Sequence, residues 1–453
     1  MMENNRMKRR EFIRASSIAG VGLAMGFPKI TYANNRQQAK AAILGGPKAF
    51  TGSWSGWPIV GQVEQDELLT VLKSGNWCRL GNKTAPKFED EFQKITGAKK
   101  ALAVSSGTSA LYTMLGALDI GPGDEVIIPP YTFIATYNVI VLNYALPIFV
   151  DIDRESFQID ADKIESAISG NTKVIMPVHI GGSPYDVDKV HTVAEKHRVP
   201  VIEDACQAHM AEWKGKCVGN WGLGGAFSFQ ASKNLNSGEG GAILTNDEDF
   251  YNRCYSFHHQ GQGADAASLV PGSGVRGSNL RITEFQAAIL LAQMTRLSEQ
   301  VKRRWENAQY LTKMLKQIPG IKPAKLYNGV TRSAYHLYMF RFDSNMFSGM
   351  SRQQFIKALN AEGVPCGSGY TSMTREKYIT GLAQNPHYLK IYGEKRMKEW
   401  LESLSCPQND ILCGEEAVWF GQTMLLGSKK DMEQIAEGIR KISKYAKEIT
   451  KIR

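Results

Sequence analysis

Apolar residues recur along this chain with two different spacings, and both predict regular structure. Between residues 63 and 95, apolar side chains such as Leu68, Leu72, Phe88 and Phe92 recur every three or four positions, which predicts two helices. From residue 101 onward, helical stretches alternate with short apolar runs that predict strands at 101–105, 125–128, 147–151, 173–178 and 201–204. This alternation predicts the α/β class, with a mainly parallel sheet covered by helices on both faces.

The pattern changes after a long helical stretch over residues 282–315. Beyond it, residues 336–342 read as a strand, and residues 352–362 and 431–449 read as helices. We therefore expect an N-terminal extension over 34–62, a large domain over 63–315 and a smaller α+β C-terminal domain over 316–453.

The first 33 residues have the order of an export signal. Arg9 and Arg10 are followed by Phe12 and Ile13, then by an apolar run and a small-residue cleavage pattern ending at Ala33. The run has about 13 residues, whereas a membrane span needs about 20. The segment resembles a twin-arginine signal, which predicts a periplasmic protein without a stable membrane span after processing. If the signal does not function, we expect a cytoplasmic protein.

Composition excludes two classes of partner. The 453 residues carry a formal net charge of +10, but no dense Lys/Arg block with interleaved aromatic residues occurs, so we expect no nucleic-acid binding. The seven cysteines form no C-x-x-C pair and have no histidine at metal-ligand spacing, so we expect no zinc site. Since the count is odd, buried free thiols are the expected state.

The stretch from residue 201 to residue 246 holds a concentration of reactive side chains. Asp204 ends an apolar strand, where a carboxylate can pair with a ring nitrogen or simply cap a helix. Lys233 lies beside a turn, and a lysine there forms a Schiff base only if its amine is partly desolvated; otherwise it is a solvated surface group. Ser228 and the glycine-rich turn at 238–241 allow a phosphate to approach the backbone.

A second candidate phosphate site lies earlier in the chain. Gly107, Thr108 and Ser109 stand between a predicted strand and a predicted helix, where backbone N–H groups and two hydroxyls can cradle a phosphate or merely cap the helix. Ligands in open α/β sheets bind beyond the carboxyl ends of the strands. Both groups of residues are therefore expected on the same side of the sheet.

These motifs together resemble one family. The segments EDACQAH and SFQASKNLNSGEGG resemble the DegT/StrS sugar-aminotransferase family of fold-type I pyridoxal-phosphate enzymes. The resemblance runs from about Gly45 to the C-terminus. It includes SSGTSALYTMLGALDIGPGDEVIIPPYTFIATYNVI, which matches the cofactor-binding opening, and GSNLRITEFQAAIL, which matches a subunit-contact segment.

The resemblance implies roles around the ring of pyridoxal 5′-phosphate. Lys233 would carry the Schiff base, and Asp204 would pair with the pyridinium nitrogen. Gln207 would lie near the ring hydroxyl, and Phe133 would stack on the ring face. Together they predict a cofactor held by a lysine on one side and polarised by a carboxylate on the other.

The resemblance also implies a phosphate site that two subunits share. Gly107, Thr108, Ser109 and Ser228 would hold the phosphate within one subunit. Asn279 would reach the phosphate of the neighbouring subunit's cofactor. This last role implies a homodimer.

The finer resemblance concerns the substrate. GGPKAF, KSGNWCRLG and AVWFGQTMLLG look most like the scyllo-inosose aminotransferase and aminohydroxybenzoate synthase subgroup. This implies amino transfer from glutamate or glutamine to a ketosugar or cyclitol ketone. The chain departs from the family's pattern at three positions near the expected site: Cys206 stands where alanine is usual, Met210 where glycine is usual, and Gly182 where a larger residue is common.

Two alternatives stay open. The first is a dehydratase or aromatising synthase of the same fold: the family's sugar dehydratases replace the lysine with histidine, so Lys233 favours transamination, but the aromatising synthases keep it. The second is a non-catalytic binding or regulatory protein. The sequence assigns no role to Trp77, Tyr137, His336 and Tyr370.

Overall fold

The computed structural model describes residues 40–263 and 276–452. The predicted signal peptide over 1–33 and the start of the predicted extension lie outside the described residues. Within them, no helix is long and apolar enough to cross a membrane.

Fourteen α-helices occur in the described residues. They are α1 (Gln62–Ser74), α2 (Thr84–Thr96), α3 (Gly107–Ala117), α4 (Ala135–Leu142), α5 (Ala161–Ala167), α6 (Val187–His197), α7 (Glu248–His258), α8 (Glu284–Leu315), α9 (Arg352–Ala361), α10 (Lys377–Thr380), α11 (Pro386–Glu402), α12 (Pro407–Ile411), α13 (Lys429–Lys444) and α14 (Ala446–Ile449).

Thirteen strands occur in the same ranges. They are β1 (Lys100–Val104), β2 (Glu125–Ile128), β3 (Leu146–Phe149), β4 (Thr172–Ile175), β5 (Ile202–Asp204), β6 (Glu212–Trp213), β7 (Lys216–Cys217), β8 (Gly224–Ser228), β9 (Gly241–Thr245), β10 (Ile321–Pro323), β11 (Val330–Arg332), β12 (Leu337–Phe342) and β13 (Ala417–Gly421).

The large sheet is built from two ladders that meet at its centre. One ladder has the order β3-β2-β4 and the other β1-β9-β8-β5. Parallel bridges from Ile175 to Val201 and from Val178 to Asp204 join β4 to β5. The pairs β2–β3, β2–β4 and β5–β8 are parallel, which agrees with the mainly parallel sheet expected from the sequence.

Strand β9 is the exception, because it runs antiparallel to both β1 and β8. No described helix lies between β8 and β9, so the chain returns through a loop rather than a helical crossover. A parallel pair needs a crossover connection, whereas a loop that folds straight back pairs the strands antiparallel. That returning loop carries Lys233.

Helix α8 links this sheet to the second region. Its first half packs with the buried side of β1 and β9 through residues such as Leu290 and Leu297. Its second half, including Leu311 and Leu315, packs in a separate core with β12, β13 and α13. The threonine at its start forms a capping box with Gln286, which fixes where the helix begins.

An early segment of the chain packs in the C-terminal core, and a late helix packs on the large sheet. Phe50, in the predicted N-terminal extension, packs in the core of β12 and α13. Helix α11, late in the chain, packs on the large sheet instead: Tyr388 donates to the Ala145 carbonyl at 2.9 Å and Trp400 to the Pro147 carbonyl at 2.7 Å. The domain boundary at residue 316 stays a prediction. Phe50, before the boundary, packs in the C-terminal core, and α11, after it, packs on the large sheet.

All seven cysteines are free. Four of them are buried, as expected, and Cys206 and Cys366 are half-buried. Cys78 is exposed, so the expectation of buried thiols is wrong there.

Candidate active site

A cavity of about 710 Å³ opens beyond the carboxyl ends of β5 and β8. This volume lies within the range of small-molecule sites. Seven of the nine residues predicted to bind a cofactor line it: Gly107, Thr108, Phe133, Asp204, Gln207, Ser228 and Lys233. Ser109 and Asn279 are not among its lining residues.

Asp204 is held firmly at the end of β5. Its side chain is buried, and the Thr136 hydroxyl donates to its Oδ2 at 2.8 Å. The backbone N–H of Cys206 donates to Oδ1 at 3.2 Å. Thr136 in turn shares a 2.9 Å hydrogen bond with the Thr132 hydroxyl. Thr136 was not predicted from the sequence, where its only signal is its place in the first turn of α4.

Lys233 reaches the cavity from the loop between β8 and β9. Burial lowers the pKa of its amine, and the neighbouring Cys206 and Asp204 oppose that shift. The indole N–H of Trp57 donates to the Lys233 carbonyl at 3.2 Å, which ties the N-terminal extension to this loop. A lowered pKa makes the free amine more available at neutral pH.

The start of α3 forms one side of the cavity. Ser106 caps the helix, and its Oγ accepts from the Ser109 backbone N–H at 3.0 Å. The Ser109 hydroxyl is occupied within the same turn, at 2.8 Å from Ser105 Oγ and 2.9 Å from Ser106 Oγ. The structure therefore brings Ser106, rather than Ser109, to the cavity.

Gly107 allows this helix to approach Ser228 closely. A Cβ atom at position 107 would lie 2.6 Å from Ser228 Cβ and 2.9 Å from Cys206 Sγ. Those distances are too short for real contacts, so the position needs glycine for space. The first backbone N–H groups of a helix have no partner within the helix, so they are available to a ligand. Gly107, Thr108 and Ser228 all line the cavity.

Gln207 is fixed in orientation by both ends of its amide. The Gly181 backbone N–H donates to its Oε1 at 2.8 Å, and its Nε2 donates to the Tyr370 hydroxyl at 2.8 Å. This contact brings Tyr370 into the cavity wall. A Cβ at Gly182 would lie 2.7 Å from the Gln207 carbonyl and 2.9 Å from the His336 backbone nitrogen. Glycine at 182 therefore lets these segments meet.

Another part of the cavity lining comes from residues distant in sequence. His336, Trp419 and Gln422 line it, together with Trp57. His336 Nδ1 lies 3.3 Å from the Asn234 Oδ1, and burial lowers the pKa of His336 well below its usual value. His336 is thus neutral in the physiological pH range.

Other residues singled out in the sequence lie away from the cavity lining. Tyr137 is buried, with its ring 6.2 Å from that of Phe149. Trp77 is 51% exposed and packs against Phe285 at a ring distance of 5.7 Å. Asn279 is exposed. Of the four residues without an assigned role, only His336 and Tyr370 reach the cavity.

Comparisons with known proteins agree with the resemblance seen in the sequence. Residues 58–396 match the model of the DegT/DnrJ/EryC1/StrS aminotransferase family. The chain is 35% identical over 402 residues to the spore coat polysaccharide biosynthesis protein SpsC of Bacillus subtilis, covering 86% of this chain and 96% of that protein. It is 32% identical over 421 residues to an L-glutamine:2-deoxy-scyllo-inosose aminotransferase of Streptoalloteichus tenebrarius, covering 90% and 98%.

A solved structure gives the same result for the fold. The crystal structure of 3-amino-5-hydroxybenzoic acid synthase superposes with a TM-score of 0.75 at 30% sequence identity. The match covers 86% of this chain and 98% of that one. The α/β fold predicted from the sequence is thereby confirmed.

Proposed function

The chain belongs to the DegT/DnrJ/EryC1/StrS family of pyridoxal-phosphate-dependent aminotransferases, and on that premise we propose the reaction that it catalyses. It moves the amino group of glutamine or glutamate to the ketone of a cyclitol or a sugar. One observation carries the proposal: Lys233, Asp204 and Ser228 meet in a single cavity. The substrate class is supported by the name of the Streptoalloteichus relative, which specifies L-glutamine and 2-deoxy-scyllo-inosose.

The residues of the cavity fit pyridoxal phosphate. When bound, the cofactor supplies a carbonyl carbon that joins an amine and a ring that accepts an electron pair. The buried carboxylate of Asp204 suits a protonated ring nitrogen, and the exposed ring of Phe133 offers a stacking face. The N-terminus of α3 beside Ser228 suits the phosphate, because its backbone N–H groups can bind an anion. Gly107 has no side chain, and this lets the helix start lie close to Ser228.

In the proposed reaction, the side chains of the cavity hold the cofactor in place, and one of them moves a proton of the amino donor. Lys233 Nζ would hold the cofactor, and its free amine would take up the proton that leaves the α-carbon of the amino donor. The Thr136 hydroxyl and the Cys206 N–H each donate to one carboxylate oxygen of Asp204, so its side chain is fixed in orientation. Gln207 is pinned by Gly181 and Tyr370, so it can present a fixed edge to the ring.

The direct test is product analysis. Enzyme loaded with pyridoxal phosphate is mixed with L-glutamine and 2-deoxy-scyllo-inosose, and also with a keto-sugar. We expect one aminated product and an equal amount of the 2-oxo acid of glutamine. If no ketone is aminated while the enzyme holds its cofactor, the proposed function is wrong.

Aromatising chemistry is the second candidate, and it is favoured by the likeness to 3-amino-5-hydroxybenzoic acid synthase. The two reactions differ in their need for an amino donor. An aminotransferase releases a 2-oxo acid from glutamine, whereas an aromatising synthase makes its product by loss of water. An aromatic product formed without glutamine consumption would support the second candidate.

The proposal includes a homodimer with shared sites. Several large apolar residues at and after α1 are exposed in the single chain, and a second copy would cover them: Leu69, Leu72, Trp77 and Leu80. Exposed apolar clusters of this kind mark interfaces. Asn279, exposed and away from its own cavity, would then serve the partner.

Subunit mixing tests the shared site. Lys233→Ala and Asn279→Ala homodimers should each have low activity, because each site lacks one residue. When a mixture of the two variants is unfolded and refolded, heterodimers form that contain one subunit of each variant. If Asn279 acts across the interface, one of the two sites in such a heterodimer has both wild-type residues. Activity should therefore recover, and no recovery would contradict the shared site.

We also propose export through the twin-arginine route, on the strength of Arg9 and Arg10 before the apolar run. Cell fractionation of the full chain tests it. We expect the enzyme in the periplasm, and we expect a variant with both arginines changed to lysine to stay in the cytoplasm. Equal distribution of the two chains would contradict export by this route.

A further inference from the structure

A buried arginine lies directly behind the cavity wall. Arg304, on α8, is 0% exposed, and its Nε donates to the Gln422 side-chain oxygen at 2.8 Å. Its two terminal nitrogens have no hydrogen-bond partner among the described residues. Burying a charge without a partner is costly, so a folded protein that keeps one has a use for it.

The charge of Arg304 persists at working pH. Burial lowers the pKa of Arg304 to about 9, so its guanidinium stays positive near neutrality. No carboxylate within the described ranges bonds its two terminal nitrogens. The same guanidinium lies close enough to lower the pKa of His336.

Trp57 and Gln422 connect Arg304 to the reaction centre. The Trp57 ring centroid is 5.3 Å from the guanidinium carbon, and its indole N–H bonds the Lys233 carbonyl. One side chain therefore touches both Arg304 and the lysine loop. Both Trp57 and Gln422 line the cavity that Lys233 enters.

The hydrogen bond from Arg304 also orients Gln422. A guanidinium only donates, so the amide oxygen of Gln422 must face it. The amide NH₂ of Gln422 then points away from Arg304, where it is available as a donor. A donor in front of a buried positive charge makes a site for an anionic oxygen.

We propose that Gln422 and Arg304 form the subsite that binds the α-carboxylate of the amino donor. This proposal rests on the proposed function, because that reaction requires an amino acid at Lys233. An amino acid always carries its carboxylate on the reacting carbon, so the carboxylate subsite must adjoin the lysine. A cyclitol ketone carries no charge and gives Arg304 no partner. Gln422 contacts the carboxylate, and Arg304 is a positioning residue behind it.

The test compares L-glutamine with L-glutaminamide, in which a neutral amide replaces the α-carboxylate. Enzyme loaded with pyridoxal phosphate is mixed with each donor, and the absorbance change of the cofactor gives kcat/KM. The ratio of the two values measures carboxylate preference. We expect wild type to prefer glutamine, and we expect Arg304→Met to reduce the preference about tenfold or more. Arg304→Lys should restore part of it.

Gln422→Glu gives a second readout that does not depend on Arg304→Met folding. The new carboxylate pairs with Arg304, so the variant should unfold at a higher temperature than wild type. It should nevertheless lose carboxylate preference, because the subsite is now occupied by the protein's own anion. Loss of structure cannot produce this combination. Arg303→Gln, one residue along and exposed, is the matched control and should change neither quantity.

The outcomes separate the two proposals. If wild type does not respond to either donor, the proposed function fails and this subsite fails with it. If wild type responds and prefers glutamine, but Arg304→Met and Gln422→Glu keep the full preference, only the subsite is wrong.

Discussion

Two parts of the cavity lining are built in different ways. The cofactor wall (Asp204, Ser228 and the start of α3) has its polar groups bonded in place: Asp204 accepts from both Thr136 and a backbone N–H. Behind the substrate wall (Trp57, His336 and Gln422) lies the buried Arg304, whose two terminal nitrogens have no hydrogen-bond partner among the described residues. The cofactor wall suits a cofactor that stays bound, and the substrate wall suits the carboxylate of an amino donor that binds and leaves in each turnover.

Asp204→Asn should have the largest effect on the cofactor wall. The amide cannot neutralise a protonated ring nitrogen, so we expect kcat to fall by about 100-fold or more. Thr136 would keep its position, so the fold should not change. The measurement is steady-state turnover, with the exposed Asp162→Asn as control. Equal kcat values for wild type and Asp204→Asn would show that the charge of Asp204 does not contribute to catalysis.

Gly107→Ala tests whether the cofactor wall depends on close packing. The added Cβ would meet Ser228 Cβ at 2.6 Å, so the helix start must move. We expect cofactor affinity to fall about tenfold, the scale of overpacking. Gly170→Ala is the control, because no atom lies within 4 Å of its added Cβ. Unchanged cofactor affinity, measured by titration of the apoenzyme, would remove the close-packing argument.

Thr136→Val should have a smaller effect. Removing one hydrogen bond from Asp204 costs about 1 kcal/mol, which corresponds to a roughly fivefold lower kcat. Thr312→Val removes a hydrogen bond to the Tyr338 hydroxyl away from the cavity. That variant should lower stability alone. If both variants lower kcat equally, the effect at Thr136 is structural.

The burial of His209 should affect stability rather than turnover, by making stability depend on pH. Burial lowers the pKa of His209 to about 3, whereas the unfolded value is 6.5. The contribution of the neutral ring to stability is therefore full above pH 6.5 and is lost as pH falls toward 3. We expect wild type to lose more thermal stability than His209→Gln between pH 6.5 and 4.5. The exposed His387→Gln should follow wild type, and parallel curves for His209→Gln would contradict the assignment.

The sequence predicts the cofactor wall because that wall comes from short contiguous motifs. Asp204, Ser228 and Lys233 lie within 30 or so residues, and strand-end geometry brings them together. Ser109 is the instructive exception. A helix-start hydroxyl either caps or binds a ligand, and here Ser106 and Ser109 bond each other while Ser106 faces the cavity.

The substrate wall was not predictable in the same way. Arg304 and Gln422 are 118 residues apart. Gln422 lies in the AVWFGQTMLLG segment, but that segment assigned it no role, and Arg304 belongs to none of the quoted motifs. Arg304 sits in an ordinary charged stretch of a long helix, where an arginine is usually solvated. Only tertiary packing buries it and leaves its two terminal nitrogens without a partner in the part of the chain that the structure describes. Met210, one of the three departures from the family's pattern, has a φ of 62°, which lies in the region that favours glycine.

The most direct test of the account is the absorbance spectrum of wild type beside Lys233→Ala. Each is mixed with pyridoxal phosphate and then with excess L-glutamine, and exposed Lys214→Ala serves as control. We predict a cofactor band in wild type and in the control that bleaches with glutamine, and no such responsive band in Lys233→Ala. A wild type without a band, or a Lys233→Ala enzyme that bleaches as wild type does, would contradict the central role of Lys233.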